Sequence, residues 1–498
     1  MAKTDNTQVI LDIAIALSAQ KDRRALLSMI IEKSMNLTSS DAGTLYMYED
    51  GVLKFNIMKT LSMGVDKGVN EEITDIPPVQ MHEENICAYC AMHKEALNIE
   101  NVYNSDRFDF SGPKKYDALT GYHTQSMMTI PLVDSEDALV GVLQLLNAQD
   151  SEGQVRAYTH EEEELVLALA SQTAIVLSNM RYQEELKEQM WSFTEAMAEA
   201  IDARTPYNAS HTRSVARYCG IIVDHINTLH EKGETEDYFD KNRKEQLIMG
   251  ALLHDIGKMV TPLEVMNKES RLGGREKDII VRLEGFKLRA KIALLEGRAS
   301  DNEYTDLCER CDEAVTMIGD VNCAGFLPPE KLESVEKILS YEFVEKGVDS
   351  GALVSEGADK NGLIVNAFFT DTEKECLRIV KGTLTAGERK IIENHVVMTR
   401  RILEKVHFNS YFADSSKWAS QHHECLNGRG YPDGLKASDL ALDARIIAVA
   451  DICDALLATD RPYKKALPKE KAFAIMRDMA ANGNIDGRIV EYLYDCLK

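Results

Sequence analysis

The spacing of hydrophobic positions changes several times along the chain, and each change predicts a different kind of element. Residues 9–37 repeat apolar side chains at helical spacing. Two short alternating runs then flank Asp50-Gly51 in GTLYMYEDGVLKF, which predicts a β-hairpin. Two more apolar runs flank the acidic turn at 134–137 in SMMTIPLVDSEDALVGVLQLLNA. Together they predict an α+β domain with an antiparallel sheet.

The segment 159–203 carries no Gly or Pro and repeats apolar residues at mostly three- and four-residue steps. It predicts one helix of about 60 Å. Such a helix is either a plain rod between domains or half of a parallel coiled coil in a homodimer, and the pattern favours the dimer.

The second half of the chain predicts helices. Residues 205–265 and 383–498 have helical spacing with loops marked by Gly and Pro. The stretch of about 275–380 differs in character, beginning with the charged run REKDIIVRLEGFKLRAKIALLEGR. It is interpreted as a mostly helical insertion, either a gate over a substrate groove or a surface lobe, with the lobe favoured.

Composition narrows the function classes. The 498 residues are 44% hydrophobic and 28% charged, as in multidomain globular proteins. A net charge of −24 argues against a polynucleotide-binding face and against docking on anionic membranes. No stretch of 18 apolar residues and no signal peptide is recognised, so the cytoplasm is expected, with the ten cysteines reduced.

Histidine is rare, at 12 residues, and several histidines stand in unusual surroundings. His254-Asp255 forms an imidazole–carboxylate pair in GALLHDIGK, and His422-His423 precede a Gly-rich turn. Asp451 lies on an otherwise apolar helix, where a buried carboxylate needs a partner. Each histidine taken alone is better explained as an ordinary core or surface residue, but the whole set predicts a metal centre.

His211 and His395 complete a set of five imidazoles and two carboxylates. The set is too large for one ion and suits two, with water in the open positions. No cysteine belongs to this ligand set, which argues against a thiolate zinc site. Mixed imidazole and carboxylate ligands favour Fe, Mn, Co or Ni, with Zn still open. Asp454, one turn after Asp451, is a candidate acceptor for a ligand's second nitrogen.

The motifs HDIGK, HHECLNGRGYPDGL and ADICDALLATDRPYKKA resemble those of the HD-GYP family of the HD phosphohydrolase superfamily, over about 201–270 and 382–498. The resemblance implies an all-helical domain with two or three metal ions that hydrolyses cyclic di-GMP to pGpG and/or GMP. The implied metal ligands are His211, His254, Asp255, His395, His422, His423 and Asp451.

The same resemblance implies further roles. Asp255 would bridge the ions, and Lys258 would meet a substrate phosphate and stabilise charge. The implied substrate-binding set also includes the loop Gly430, Tyr431 and Pro432, and the cations Arg461 and Lys464.

Two alternatives to a cyclic di-GMP phosphodiesterase stay open: a catalytically silent cyclic dinucleotide receptor, and an HD hydrolase of another cyclic dinucleotide or nucleotide. Four residues before His211, where three-metal members carry Glu, this chain has Tyr207, which favours two ions. Iron or manganese is the expected metal.

The N-terminal region resembles a GAF domain over about 10–180, on the stretches ALLSMIIEKSMNLTSSDAGTLYMYED, NICAYCAMHKEALNIENVYNSDRF and YDALTGYHTQSMMTIPLVDSEDALVGVLQLLNA. Cyclic nucleotide-binding members often carry Asn-Lys, Phe and Asp-Glu, where this chain has Asn147-Ala148, Tyr158 and Glu162-Glu163. The match is partial, so the expected GAF ligand is an unspecified small molecule. Cys87 and Cys90 favour burial over a redox or metal site, and Cys308-Cys311 with Cys323 gives only a weak zinc signal.

These inferences predict a layout of three parts. A GAF-like sensor occupies 1–180, a connecting helix 181–203, and an HD-GYP-like phosphohydrolase domain 204–498 with its insertion at about 275–380. A homodimer is expected, in which a GAF ligand changes activity through the helix. No polynucleotide or membrane partner is expected.

Overall fold

The computed structural model describes residues 22–68, 73, 76–204, 210–346, 363–406, 408, 412–458 and 467–497. The chain divides into two compact units, Met1–Met190 and Trp191–Lys498. The helical pattern before residue 22, Tyr207, Arg461 and Lys464 lie outside the described residues. Across the described ranges, every helix is too short or too polar to cross a lipid bilayer.

The first unit is an antiparallel sheet with helices on its faces, as predicted. The strands are β1 Ser40–Glu49, β2 Val52–Thr60, β3 Val65–Lys67, β4 Val79–Gln80, β5 Leu97–Ile99, β6 Met127–Val133, β7 Leu139–Gln149 and β8 Val155–Arg156. Their order is β3-β2-β1-β7-β6-β5, with β4 beside β2 and β8 beside β7. The helices are α1 Arg23–Thr38, α2 Ile86–His93 and α3 Ser111–Thr120.

Local sequence explains both predicted hairpins. Asp50 and Gly51 take φ of 54° and 80°, the left-handed pair that a tight turn between β1 and β2 requires. Asp134 accepts hydrogen bonds from the N–H groups of Glu136 and Ala138, which closes the turn between β6 and β7.

Both faces of the sheet are covered by apolar cores. Successive residues of a strand point to opposite faces, so neighbouring side chains enter different cores. Leu45 packs in one core with α1, and its neighbour Tyr46 packs in another with α2. Cys87 and Cys90 are buried in that second core, as predicted.

Helix α4, His160–Ala203, runs unbroken for 44 residues. It begins in the first unit and ends in the second, as the sequence predicts. Its first turn carries Glu161, Glu162 and Glu163, which complement the positive end of the helix dipole.

The second unit is mostly helical. Its helices are α5 His211–Glu231, α6 Lys241–Leu253, a 3-10 helix Ile256–Val260, α7 Leu263–Met266, α8 Glu276–Leu295, α9 Asp301–Val321, α10 Pro329–Leu339, α11 Asp371–Leu377, α12 Ala386–Leu403, α13 Ser415–Ala419, α14 Leu442–Leu457, α15 Lys469–Ala481 and α16 Gly487–Cys496. Residues of α5, α6, α14, α15 and α16 share one apolar core.

The segment predicted as an insertion builds a core of its own. Phe286 on α8, Met317 on α9, Val335 on α10 and Phe368 pack together, apart from the core of the other helices. The structure adds a two-stranded antiparallel sheet, β9 Glu342–Lys346 and β10 Leu363–Ala367, that periodicity did not predict.

Candidate metal centre

Seven buried or half-buried side chains converge from five different places in the second unit. His211 opens α5, and His254 and Asp255 directly follow α6. His395 lies within α12, His422 and His423 follow α13, and Asp451 lies within α14. The structure thus brings together all the residues that the sequence nominated as ligands.

Asp255 lies at the middle of this cluster. Its Oδ1 is 3.3 Å from His395 Nε2 and 3.9 Å from His422 Nε2. Its Oδ2 is 3.3 Å from His254 Nε2 and 3.6 Å from His211 Nε2. The two carboxylate oxygens therefore face two different pairs of imidazoles.

Three of the histidines are held in the same way. His254, His395 and His422 each donate Nδ1–H to the carbonyl of the residue three positions earlier. The acceptors are Ala251, Ile392 and Ala419, at 2.7, 2.6 and 2.7 Å in that order. Because a carbonyl only accepts, Nδ1 of each ring carries a proton, and Nε2 is the nitrogen that offers a lone pair in the metal-binding form of the ring.

Those lone pairs have no protein partner. The Nε2 atoms of His254, His395 and His422 and Oδ1 of Asp255 are buried without a hydrogen bond. Buried acceptors facing one another without a donor are costly, and a cation between them removes that cost. The donor set therefore fits divalent metal ions.

The candidate ligand atoms fall into three overlapping groups, each within 4.8 Å. One group is His395, His422 and His423, and another is His211, His254 and Asp451. The third, His254, Asp255 and His422, joins them.

The electrostatics keep the carboxylates ionised. Burial acts to raise the pKa of Asp255, but Lys258 and His254 hold that pKa well below its ordinary value. The pKa of Asp451 is likewise lowered by its hydrogen bond to His211, against the effect of burial. Burial acts to lower the pKa of His211, but hydrogen bonds to the surrounding carboxylates raise it to about 11.

The paired histidines are neutral. Burial lowers the pKa of His423 to about 4, and burial with the neighbouring imidazoles lowers the pKa of His422 well below its ordinary value. A neutral imidazole is the form that binds metal.

Outer partners orient the ligands. His211 Nδ1 is 2.7 Å from Asp454 Oδ2, so Nε2 is directed at the cluster. Thr399, one turn after His395, donates its hydroxyl to the carbonyl of His254 at 3.0 Å and accepts from the N–H of Gly257 at 3.0 Å. A Cβ on Gly257 would lie 1.8 Å from the carbonyl oxygen of His395, so only glycine permits this approach.

Lys258 reaches the cluster from the 3-10 helix. Its Nζ is 2.5 Å from Asp255 Oδ2, and its side chain is 25% exposed. It therefore connects the buried carboxylate with the open side of the site.

The Gly-Tyr-Pro turn lies against the histidine pair. The Tyr431 ring stacks on the His423 ring with centroids 4.9 Å apart. The backbone N–H of Tyr431 donates to the backbone carbonyl of His423. A Cβ on Gly430 would lie 2.5 Å from Glu424 Cα, so glycine allows the turn to pack here. Pro432 follows directly.

Glu424 is a residue whose role the sequence did not indicate. Its buried carboxylate accepts the N–H of Asp433 at 2.7 Å and the N–H of Leu435 at 2.8 Å. It therefore clamps the turn that carries Tyr431. Its place directly after the two histidines was the only available signal.

Comparison with known families agrees with this architecture. The family description "GAF domain" matches residues 22–177, and two descriptions named "HD domain" match 208–307 and 373–489. The two HD matches lie on either side of most of the insertion. The recognition of a GAF domain followed by an HD domain is confirmed.

Curated relatives match over limited stretches. The 3'3'-cGAMP-specific phosphodiesterase 3 of Vibrio cholerae is 42% identical over 97 residues, which are 20% of each chain. The response regulator RpfG of Xanthomonas campestris, named a cyclic di-GMP phosphodiesterase, is 38% identical over 22% of this chain and 29% of its own. A cyclic di-GMP phosphodiesterase of Vibrio cholerae is 32% identical over 40% of this chain and 37% of its own. The matches cover only 20% to 37% of the lengths of these three relatives.

Proposed function

We propose that this chain, which carries a GAF domain followed by an HD domain, is a metal-dependent phosphodiesterase that hydrolyses cyclic di-GMP to pGpG and/or GMP. The observation that carries the proposal is the set of buried, unpaired Nε2 and carboxylate atoms that face one another around Asp255. The names of the relatives support the substrate class.

Two ions are proposed, with Asp255 between them. One would be held by His395, His422 and His423 with Asp255 Oδ1, since that oxygen faces this side. The other would be held by His211, His254 and Asp451 with Asp255 Oδ2. Imidazole and carboxylate ligands without cysteine favour iron or manganese.

When bound, such ions supply Lewis-acid activation of water and neutralise charge on the phosphoryl group. The protein's part is positioning and fixed charge. Lys258 presents a cation at the open side of the centre, where a substrate phosphate would lie. Tyr431 is held against His423 by ring stacking, so it would border the substrate on that side of the centre. Arg461 and Lys464 stay predicted contacts to phosphate or guanine.

A second substrate is favoured by a specific observation. Three of the similar proteins are named 3'3'-cGAMP-specific phosphodiesterases, including the one at 42% identity. Cyclic GMP-AMP offers the same phosphodiester to the metal centre, and the base-reading residues decide between the two.

One assay tests the function. Anaerobically purified, metal-analysed protein is incubated with cyclic di-GMP, 3'3'-cGAMP and cyclic di-AMP, and the products are separated by chromatography. We expect linear products from cyclic di-GMP, with 3'3'-cGAMP as the next substrate. Metal-loaded protein that binds a cyclic dinucleotide and leaves it intact would establish the receptor alternative instead.

Glu424 gives a prediction about the Gly-Tyr-Pro turn. In Glu424→Gln, an amide NH₂ replaces one acceptor and faces a backbone N–H, which costs about 1–3 kcal/mol. We expect KM to rise roughly tenfold with the metal content unchanged, measured by steady-state kinetics and metal analysis. Glu404→Gln, which changes an exposed carboxylate, is the control. An unaltered KM would show that the clamp does not matter for substrate binding.

Regulation by the GAF domain is proposed to act through α4. At its C-terminal end, Asp202 accepts from Thr212, the residue after His211, at 2.5 Å to the hydroxyl and 3.3 Å to the N–H. Arg204 directly follows α4. Its guanidinium donates to the backbone carbonyls of Met259 and Thr261, which lie just after Lys258 in the chain. The end of α4 is therefore bonded next to a ligand and next to Lys258.

A homodimer through α4 completes the proposal. Tyr182, Leu186 and Phe193 are exposed by 37%, 55% and 50% and follow one another at steps of four and seven residues. This spacing keeps them on one face, as at a coiled-coil seam.

Insertions in α4 near Glu185 test the coupling. Four residues would rotate one end against the other by about 40°, and seven residues by about 20° in the opposite sense with the heptad register kept. We expect the four-residue variant to lose the response to a GAF ligand with its metals bound, and the seven-residue variant to retain much of it. A monomer in solution, or equal responses from both variants, would contradict the rod mechanism.

A further inference from the structure

A cavity of about 610 Å³ lies in the GAF domain, a size typical of sites for small molecules. Its wall is formed by side chains of β1, β2, β6 and β7 and by the first turns of α2 and α3. Neither the metal centre nor the proposed hydrolysis uses it. Its chemistry indicates what it binds.

Among the described residues that line the cavity, none is Lys or Arg. Three lining residues carry an imidazole or a carboxyl group, His82, Glu84 and Asp109, and all three are exposed. Two of these three are carboxylates, so an entering phosphate would meet negative charge.

Both helix N-termini at the wall are already capped. The side chain of Asn85 accepts the N–H groups of Cys87 and Ala88 at the start of α2. The carboxylate of Asp109 accepts the N–H and the hydroxyl of Ser111 at the start of α3. Helix N-termini attract anions through free N–H groups, and here three of those groups already have side-chain acceptors.

Deeper in the cavity the lining side chains are uncharged, and the amide N–H group of Gln144 has weak hydrogen-bond acceptors. Gln144 Nε2 lies 3.1 Å from Cys87 Sγ, 3.3 Å from Met127 Sδ and 3.4 Å from Thr129 Oγ1. Sulfur is a weak acceptor, so this donor has little to lose by turning to a ligand oxygen. Burial raises the pKa of Cys87 to about 12 and that of Tyr46 well above its ordinary value, so both stay uncharged.

The residues that resembled a cyclic nucleotide signature are occupied elsewhere. The Tyr158 hydroxyl bonds Ser40 at 2.9 Å, Glu162 pairs with Arg156 at 2.6 Å, and Asn147 Nδ2 donates to the His123 carbonyl at 2.7 Å. None of the three lines the cavity.

We propose that the GAF cavity binds an uncharged small molecule through an amide-like group paired with Gln144, and that it rejects carboxylates and cyclic nucleotides. Burying an unpaired anion in this cavity would be strongly unfavourable. The inference stands whether or not the HD domain hydrolyses a cyclic dinucleotide, because it is tested by binding alone.

Matched pairs of probes isolate the charge. Benzamide and benzoate, nicotinamide and nicotinate, and indole-3-acetamide and indole-3-acetate are titrated into the full-length protein by ligand-observed NMR. Cyclic GMP is tested for its ability to displace the tightest amide. We expect each binding amide to be favoured over its carboxylate by at least about tenfold, and cyclic GMP not to displace it.

Variants locate the binding. Gln144→Leu removes the amide partner and Ala42→Phe fills the cavity, and both are expected to weaken amide binding at least about tenfold. Leu61→Ala, at an exposed position outside the wall, is the control. Thermal melts of all three confirm folding. Carboxylates or cyclic GMP binding as tightly as the amides, no binding by any amide, or amide binding unchanged in both cavity variants would overturn the proposal.

Discussion

Replacing Asp255 with Asn is expected to remove more than one equivalent of metal and to abolish measurable phosphodiesterase activity. The two oxygens of Asp255 face two different pairs of imidazoles, so a single change weakens both proposed ion positions. Asparagine keeps the size of the side chain but loses the negative charge and one acceptor.

The control for this variant is Asp454→Asn. The side chain of Asp454 bonds the far nitrogen of His211, so its substitution should lower metal affinity or activity by the roughly 10–100-fold typical of an outer partner. Metal content by mass spectrometry and turnover are measured for both variants. An Asp255→Asn protein that retains two equivalents, or wild-type protein that is active with one, would refute the shared-carboxylate arrangement.

The sequence was most informative where a residue contradicted its local pattern. Asp451 on an apolar helix and the pair His422-His423 before a Gly-rich turn needed a reason that packing does not supply. Alternating runs around Asp50-Gly51 likewise predicted the first hairpin because turn and strand signals are local.

Features that depend on the approach of distant segments were not predictable. Only a glycine at position 257 leaves room for the backbone carbonyl of His395. The hydroxyl of Thr399 on α12 hydrogen-bonds the carbonyl of His254 and so connects the two segments. The residues next to Gly257 and Thr399 in the sequence do not predict those contacts. The two-stranded sheet β9/β10 and the cavity wall around Gln144 are also set by tertiary packing, which the periodicity of the sequence does not predict.

Replacing Lys258 with Ala is expected to keep the metals and to lower turnover by roughly 10²–10³-fold, as for loss of one preorganised charge. The ammonium group lies 2.5 Å from Asp255 Oδ2 yet is partly exposed, so it can turn from that carboxylate toward a phosphate. The proposed role is electrostatic, so Lys258→Arg should restore part of the rate because the charge is kept. Lys390→Ala, at an exposed lysine on the helix of His395, controls for the general loss of a cation. Turnover and metal content are measured together. A normal rate in metal-replete Lys258→Ala would refute the role, and loss of the metals would assign Lys258 to the integrity of the centre rather than to the substrate.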